Sequence, residues 1–321
     1  MKNRNHTIDF IRILAAFAIV CIHSNYGNSN MEIVNLFKIS TRWAVPFFFI
    51  ISGYFLFNQR KDISSFPKKT MTKLISIHII SSSIFLLIKF FDKQNLDMGL
   101  VNIINGTYFH LWFIGSMLLG IIFIWYIYQM KLNRFLTIIS ILILCATTFT
   151  DGYDSLFEKK ISYMPFLISI PFMHFGSIIS VKNKIMTKKM LFVLVITFFI
   201  LQYFEYYLLN LYSNNFVTQT LSISTIIFAI LFFKIMVSNK INNENYIIKI
   251  GRKYSLFIYL FHPVLILLLS KISIENSNLN YGIQPFITFI LTLTLGIIIN
   301  KIYPKLFAVL NGEIITKGNT V

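Results

Sequence analysis

Ile8-Asp-Phe-Ile-Arg12-Ile-Leu-Ala-Ala-Phe-Ala-Ile-Val-Cys21-Ile-His23-Ser-Asn25 is an apolar run with an arginine near one end and a histidine near the other. Eleven positions separate Arg12 from His23. At 100° per residue they complete almost three helical turns, so both side chains share one helix face. Their axial separation is roughly 16 Å, about half the hydrocarbon thickness of a bilayer. An arginine inside a membrane span costs about 2.5–3.5 kcal/mol on insertion scales and normally faces a protein interior or a wet cavity. The plainer alternative is local: Asp9, three residues earlier on the same face, neutralises Arg12, and His23 solvates itself among lipid headgroups. That alternative leaves the shared face unexplained.

The rest of the chain has the same character. Of 321 residues, 56% are hydrophobic and 13% charged, with 34 Phe, and mean hydropathy is positive, which excludes an ordinary soluble domain. Apolar stretches of about 16–23 residues recur between polar loops, and they predict an all-α integral membrane protein with about ten spans. These fall near 8–25, 41–58, 74–91, 108–130, 135–150, 161–181, 190–209, 217–237, 254–270 and 284–300, the fifth being the shortest. No long linker, composition break or internal repeat divides the sequence, so residues 1–321 read as one membrane domain.

The net charge of +17 has a geometric explanation and does not imply nucleic acid. With the N-terminus inside, 21 of the 29 Lys and Arg fall in alternate, cytoplasmic segments. The outer segments hold Lys38, Lys89, Lys93, Lys159, Lys160 and Lys271, while Arg12 and Arg42 sit at or inside spans. The bias satisfies the positive-inside rule with both termini cytoplasmic. The expected setting is a membrane crossed many times. Cys21 and Cys145, both within predicted spans, read as small buried apolar residues with no disulfide between them. Ala16-Phe-Ala18 lies inside the apolar run, where it is not expected to act as a signal-peptide cleavage site.

Several soluble-site signatures are missing from the sequence: a phosphate loop ending in Gly-Lys-Ser/Thr, His-Glu-x-x-His, a cysteine pair at zinc spacing, Gly-x-Ser-x-Gly, and a His five positions before an Asp. Metal-dependent and serine-nucleophile chemistry are therefore disfavoured, and no metal site or permanently bound cofactor is expected. What remains is a set of polar groups at membrane depth: Arg12, His23, Arg42, His78, His110, His174, Glu205 and His262.

In the second span, Arg42-Trp-Ala-Val-Pro46-Phe-Phe-Phe-Ile-Ile-Ser52-Gly53-Tyr54 combines a cation, an early proline and a Ser-Gly pair that permits close backbone approach. A kinked packing helix with a headgroup-anchoring arginine would use the same residues. At the start of the fourth span, Trp112 in His110-Leu-Trp-Phe reads as an interfacial aromatic, and His110 as an interfacial histidine or part of an acceptor pocket. In the ninth span Ser255, Tyr259 and His262 occupy overlapping faces, and Pro263 frees one backbone carbonyl. Glu205 needs a cation or a polar cavity, and Arg42 is a plausible partner. His78 and His174 read as satisfied core histidines.

Together these stretches resemble the acyltransferase-3 family of bacterial integral-membrane acyltransferases. The carriers are Ile8-Asp-Phe-Ile-Arg12 with ten residues before His23, Val45-Pro-Phe-Phe-Phe-Ile-Ile-Ser-Gly-Tyr54, His110-Leu-Trp-Phe113, and Tyr259-Leu-Phe-His262. The resemblance implies transfer of an acyl group, usually acetyl, from cytoplasmic acyl-CoA to a hydroxyl of a cell-envelope glycan or glycolipid. It implies His23 as general base and Arg12 as the group that attracts donor phosphates. Arg42, Ser52, Tyr54, His110, Trp112, Glu205, Tyr259 and His262 would bind substrate or shape the cavity. The chain ends shortly after the tenth span, without the outer hydrolase-like domain or the racemase domain that some members carry, so handover would use the membrane domain or a separate partner at the outer face. The main rival reading is a transporter or flippase for a polysaccharide or lipid-linked intermediate, which also needs intramembrane polar groups. A third is a sensing or amino-acid-uptake domain, as in members fused to racemases.

Overall fold

The computed structural model describes residues 5–24, 31–57, 65–92, 99, 104–153, 167–179, 186–212, 221–272 and 278–313. Loop charges such as Lys93, Lys159, Lys160 and Lys182 lie outside the described residues. The described residues are mostly helical and contain no strand. The helices are α1 (His6–His23), α2 (Met31–Thr41), α3 (Ala44–Leu56), α4 (Lys68–Phe91), α5 (Trp112–Gln129), α6 (Asn133–Thr147), α7 (Ser169–Ile179), α8 (Lys188–Tyr212), α9 (Ile223–Ser238), α10 (Tyr246–Ile272), α11 (Asn278–Ile302) and α12 (Pro304–Leu310).

Eight stretches among the described residues are long and apolar enough to cross a membrane. Two shorter apolar helices, α7 and α9, occupy the expected sixth and eighth positions. The shortness expected of the fifth span belongs to these two instead. The fifth runs from Asn133 to Thr150, because α6 continues into a π-helical turn over Thr148–Gly152. The second span starts earlier than expected, at Val34, and is broken at Arg42 and Trp43 between α2 and α3. Pro46 lies four residues beyond Arg42 and cannot donate to its carbonyl, which accounts for the site of the break.

Local sequence sets the start of α1. Asn5 caps it, its side chain accepting from the Thr7 amide at 3.1 Å, with Asp9 in the first turn where the helix dipole favours an acid. Thr7 Oγ1 donates to the Asn239 carbonyl at 2.5 Å and accepts from the Ile241 amide at 2.9 Å. The beginning of α1 is thereby tied to the end of α9. At the other end of the bundle, Lys271 at the close of α10 pairs with Asp92 at the close of α4, 2.5 Å apart.

Helix α1 is the axis of the molecule, with Ala15, Ala16, Ile19, Val20 and Cys21 fully enclosed and with α2, α3, α9, α10 and α11 around it. Two crossings are backbone-close. A Cβ at Gly53 would lie 1.9 Å from the Met173 carbonyl oxygen, and one at Gly176 2.0 Å from the Ile50 carbonyl oxygen, so α3 and α7 press together on reciprocal glycines. The Ser52-Gly53 reading is borne out here.

Facing outward, α4 and α8 present Ile79, Leu87, Ile200, Phe204 and Leu211. Exposed apolar surface of this extent belongs against lipid tails, and the protein is a multi-pass membrane protein. Both cysteines are free, but only Cys21 is buried; Cys145 is exposed, contrary to its expected place in the core.

Candidate active site

A cavity of about 290 Å³ opens among α1, α3, α4, α5 and α10. Arg12, Lys73 and Arg252 supply its charge, Ser52, Thr70 and Ser255 its hydroxyls, and Phe48, Ile51, Phe113 and Met117 its apolar wall. Arg12 thus faces a cavity, as its cost in a span requires, and it also pairs with Asp9 at 3.0 Å. Both sequence readings of Arg12 hold together: the Asp9 side chain is almost fully buried and the guanidinium is about a quarter exposed. Arg252 pairs with Glu244 at 2.5 Å, whereas Lys73 has no carboxylate partner among the described residues. The net balance of these five charges is positive.

Lys73 and Arg252 did not stand out in the sequence because the charge-bias reading had already counted each among the segments expected to face inward. The signal was helical spacing. Arg252, Ser255, Leu256 and Tyr259 recur at three, four and seven positions on α10, and Thr70, Lys73, Leu74 and Ile77 do the same on α4.

The cavity stops at Tyr259 on α10. Three residues further, less than one turn or about 5 Å along the helix, His262 meets His23. Their rings stack at 5.5 Å and 23°. His110 joins from the segment before α5, its ring 5.6 Å from His262 at 70° and 5.7 Å from Tyr259. Tyr259 Oη donates to the His110 carbonyl at 2.5 Å, and the Tyr259 ring lies 5.3 Å from Phe113. Tyr259 and Phe113 therefore stand between a basic cavity on one side and three imidazoles on the other. His110 and His262 are buried, while His23 is partly exposed beside Phe109 at 4.9 Å. Phe109 itself is half exposed.

Comparison with known proteins gives the family. The acyltransferase domain family matches residues 5–301. The chain belongs to the acyltransferase-3 family. It is 29% identical over 161 residues to a protein named amino-acid racemase from Enterococcus faecalis, covering 47% of this chain and 23% of that protein. It is 30% identical over 134 residues to a serine/alanine racemase from Enterococcus gallinarum, covering 37% of this chain and 19% of the other. The chain thus aligns with less than a quarter of the length of these curated relatives. No solved structure matches it. Family membership and the apolar helices make the chain a multi-pass membrane member of that family.

The other acyltransferase-3 candidates divide. Ser52 lines the cavity, its hydroxyl donating to the Phe48 carbonyl at 2.8 Å. Arg42, at the break before α3, lies near enough to His23 for its charge to act on that ring. Trp112 stands behind the wall, its ring 6.4 Å from both Phe49 and Phe113. Tyr54 packs on Phe55 and Phe233 and does not line the cavity.

Glu205 is placed elsewhere than expected. Its carboxylate accepts from the Ile223 amide at 3.0 Å, the Ser224 amide at 2.9 Å and the Tyr153 hydroxyl. These amides begin α9, where unpaired N–H groups and the helix dipole draw an anion, so the expected pairing with Arg42 gives way to a helix cap. Burial, and then Glu205 itself, push the Tyr153 hydroxyl above its ordinary value of 10.0. His174 conforms to the core reading: its ring nitrogens meet Tyr128 Oη at 3.1 Å and Thr137 Oγ1 at 2.9 Å.

Proposed function

We propose that the protein crosses the membrane ten times with both termini in the cytoplasm and moves an acyl group, acetyl in the simplest case, from acyl-CoA to a hydroxyl of a cell-envelope glycan or glycolipid. The observation that carries this reading is the order of parts along α1 and α10. A basic cavity at Arg12 and Arg252 is followed, less than one turn beyond its end, by the His23 cluster. Phosphates of the donor suit Arg12, Lys73 and Arg252, since guanidinium and ammonium groups bind them through charge-assisted hydrogen bonds. The thioester end would then lie against Tyr259 and Phe113.

His23 takes the proton of the acceptor hydroxyl as that oxygen attacks the thioester carbonyl. The carbon–sulfur bond breaks and CoA leaves as the thiol, taking that proton from His23. General-base catalysis contributes about 10²- to 10⁴-fold. Membranes carrying the protein should therefore transfer label from radiolabelled acetyl-CoA into envelope glycans, and His23→Ala at matched expression should lower the rate by about that factor. Undiminished labelling by His23→Ala would remove His23 from the chemistry. Absence of labelling by either protein would favour transport or amino-acid uptake.

A further inference from the structure

We propose that His262, locked in one tautomer by Pro263, is a hydrogen-bond acceptor that holds a neutral polyhydric acyl acceptor beside His23. The argument rests on the transferase reading above for the word acceptor, but its geometry stands independently. Pro263 sits inside α10. A residue there would ordinarily donate its amide to the carbonyl four positions earlier, Tyr259, and proline has no amide hydrogen to give. The Tyr259 carbonyl is taken instead by the neighbouring side chain, with His262 Nδ1 at 2.8 Å from it and 3.1 Å from the Ile258 carbonyl.

Carbonyl oxygens only accept, so Nδ1 must carry the hydrogen. A neutral imidazole with hydrogen on Nδ1 has a bare lone pair on Nε2. That atom is buried and has no hydrogen-bond partner.

His110 repeats the arrangement with its nitrogens exchanged. Its Nε2 lies 3.1 Å from the Leu260 carbonyl, which fixes the hydrogen there, and its buried Nδ1 is without a partner. Two fully buried rings, 5.6 Å apart, thus each keep a lone pair in reserve next to His23. Buried polar atoms are normally satisfied, and an acceptor without a donor in a low-dielectric site is costly. The natural occupant supplies donors.

The chemistry narrows that occupant. An anion offers only lone pairs. A cation is disfavoured by Arg42 and Lys38, whose charges act on His23. No group of three His, Cys, Asp or Glu side chains among the described residues is arranged to hold a metal ion. Neighbouring hydroxyls of one polyol remain: one for His262, one for His110, and one for His23 to deprotonate. His262 therefore selects acceptors bearing a second hydroxyl near the reacting one.

The full-length protein, labelled with ¹⁵N-histidine and held in lipid nanodiscs, gives a test that does not depend on turnover. With His262→Phe to assign the resonance, wild type should show a protonated Nδ1 and a bare Nε2 at neutral pH. Methyl β-D-glucopyranoside as probe should move the bare-nitrogen signal. In Pro263→Ala the returned amide competes for the Tyr259 carbonyl, and the hydrogen should redistribute between the two nitrogens.

In the transfer assay, His262→Phe should raise the acceptor KM about tenfold, the scale of one lost hydrogen bond, without altering the affinity for CoA. His262→Gln, whose amide oxygen restores an acceptor, should recover part of that loss. A protonated Nε2, or a bare signal indifferent to the glycoside, overturns the proposal. A responsive signal in a protein that transfers no label upholds the site and removes the transferase reading. Transfer that His262→Phe leaves at wild-type KM does the reverse.

Discussion

Arg12 and Arg252 look equivalent as cavity cations, yet their carboxylate partners differ in burial, and this separates binding from stability. Asp9 is almost wholly enclosed beside Arg12, whereas Arg252 and Glu244 are each about a third exposed. Removing one partner of a buried pair leaves an uncompensated charge and costs about 3–5 kcal/mol, while exposed pairs contribute about 0–1 kcal/mol. Arg12→Ala should therefore lower both CoA affinity and the unfolding temperature in detergent, with a stability loss toward the lower end of the buried range because Arg12 itself is partly exposed. Arg252→Ala should weaken CoA binding and leave the unfolding temperature nearly unchanged. CoA titration and thermal unfolding of both variants check this; equal stability losses would count against it. At this scale Arg12, Ser52, Tyr259 and the histidines were legible because polar groups at membrane depth need a reason. Lys73 and Arg252 were not, since a lysine or arginine at a span end expected to face the cytoplasm already has one.

Among the elements, α3 with α7 and α8 with α9 show two ways in which local sequence positions a helix. The α3–α7 crossing has no room for a side chain at either glycine. Gly53→Leu should consequently force α3 away, displace Ser52 from the cavity wall and abolish both CoA binding and stable folding, measured by size-exclusion behaviour after extraction. The start of α9 is instead capped by Ser222, whose side chain accepts from the Thr225 amide, together with Glu205 from α8. Glu205→Ala should reduce stability by about 1–2 kcal/mol, as loss of a helix cap does, while CoA affinity stays at the wild-type value. A loss of CoA affinity with unchanged stability would return Glu205 to the substrate site.

Tyr153 adds a pH signature to the same cap. Its folded value lies above the ordinary 10.0, so the folded chain keeps a proton that the unfolded chain releases. The contribution is whole below about pH 10 and declines as pH rises further through the folded value. The acid itself was visible in the sequence, but its partner was not. A cap is made with backbone amides, and those leave no trace in residue type.

For the whole molecule, the decisive question is which face of the membrane receives the basic cavity. Contacts between helix ends are consistent with alternating passes: α1 begins where α9 ends through Thr7 and Asn239, α8 ends where α9 begins through Glu205, and α4 and α10 end together through Asp92 and Lys271. The spans were legible from hydropathy, except that α7 and α9 are too short to be counted by length alone. The distribution of Lys and Arg predicts the face, since positive residues favour the cytoplasm.

Arg252 lies near the start of α10, after the exposed Asn243, and Lys271 near its other end, so this one helix reports both faces. In a Cys145→Ser background, with the remaining Cys21 buried, Asn243→Cys should react with a membrane-impermeant maleimide only after cells are permeabilised. Lys271→Cys should react in intact cells. The opposite pattern would open the Arg12–Lys73–Arg252 cavity to the outside, where cytoplasmic acyl-CoA cannot reach it, and the donor assignment would fall with the topology. The expected pattern would leave His23 and His262 toward the outer face, on the side from which an envelope hydroxyl arrives.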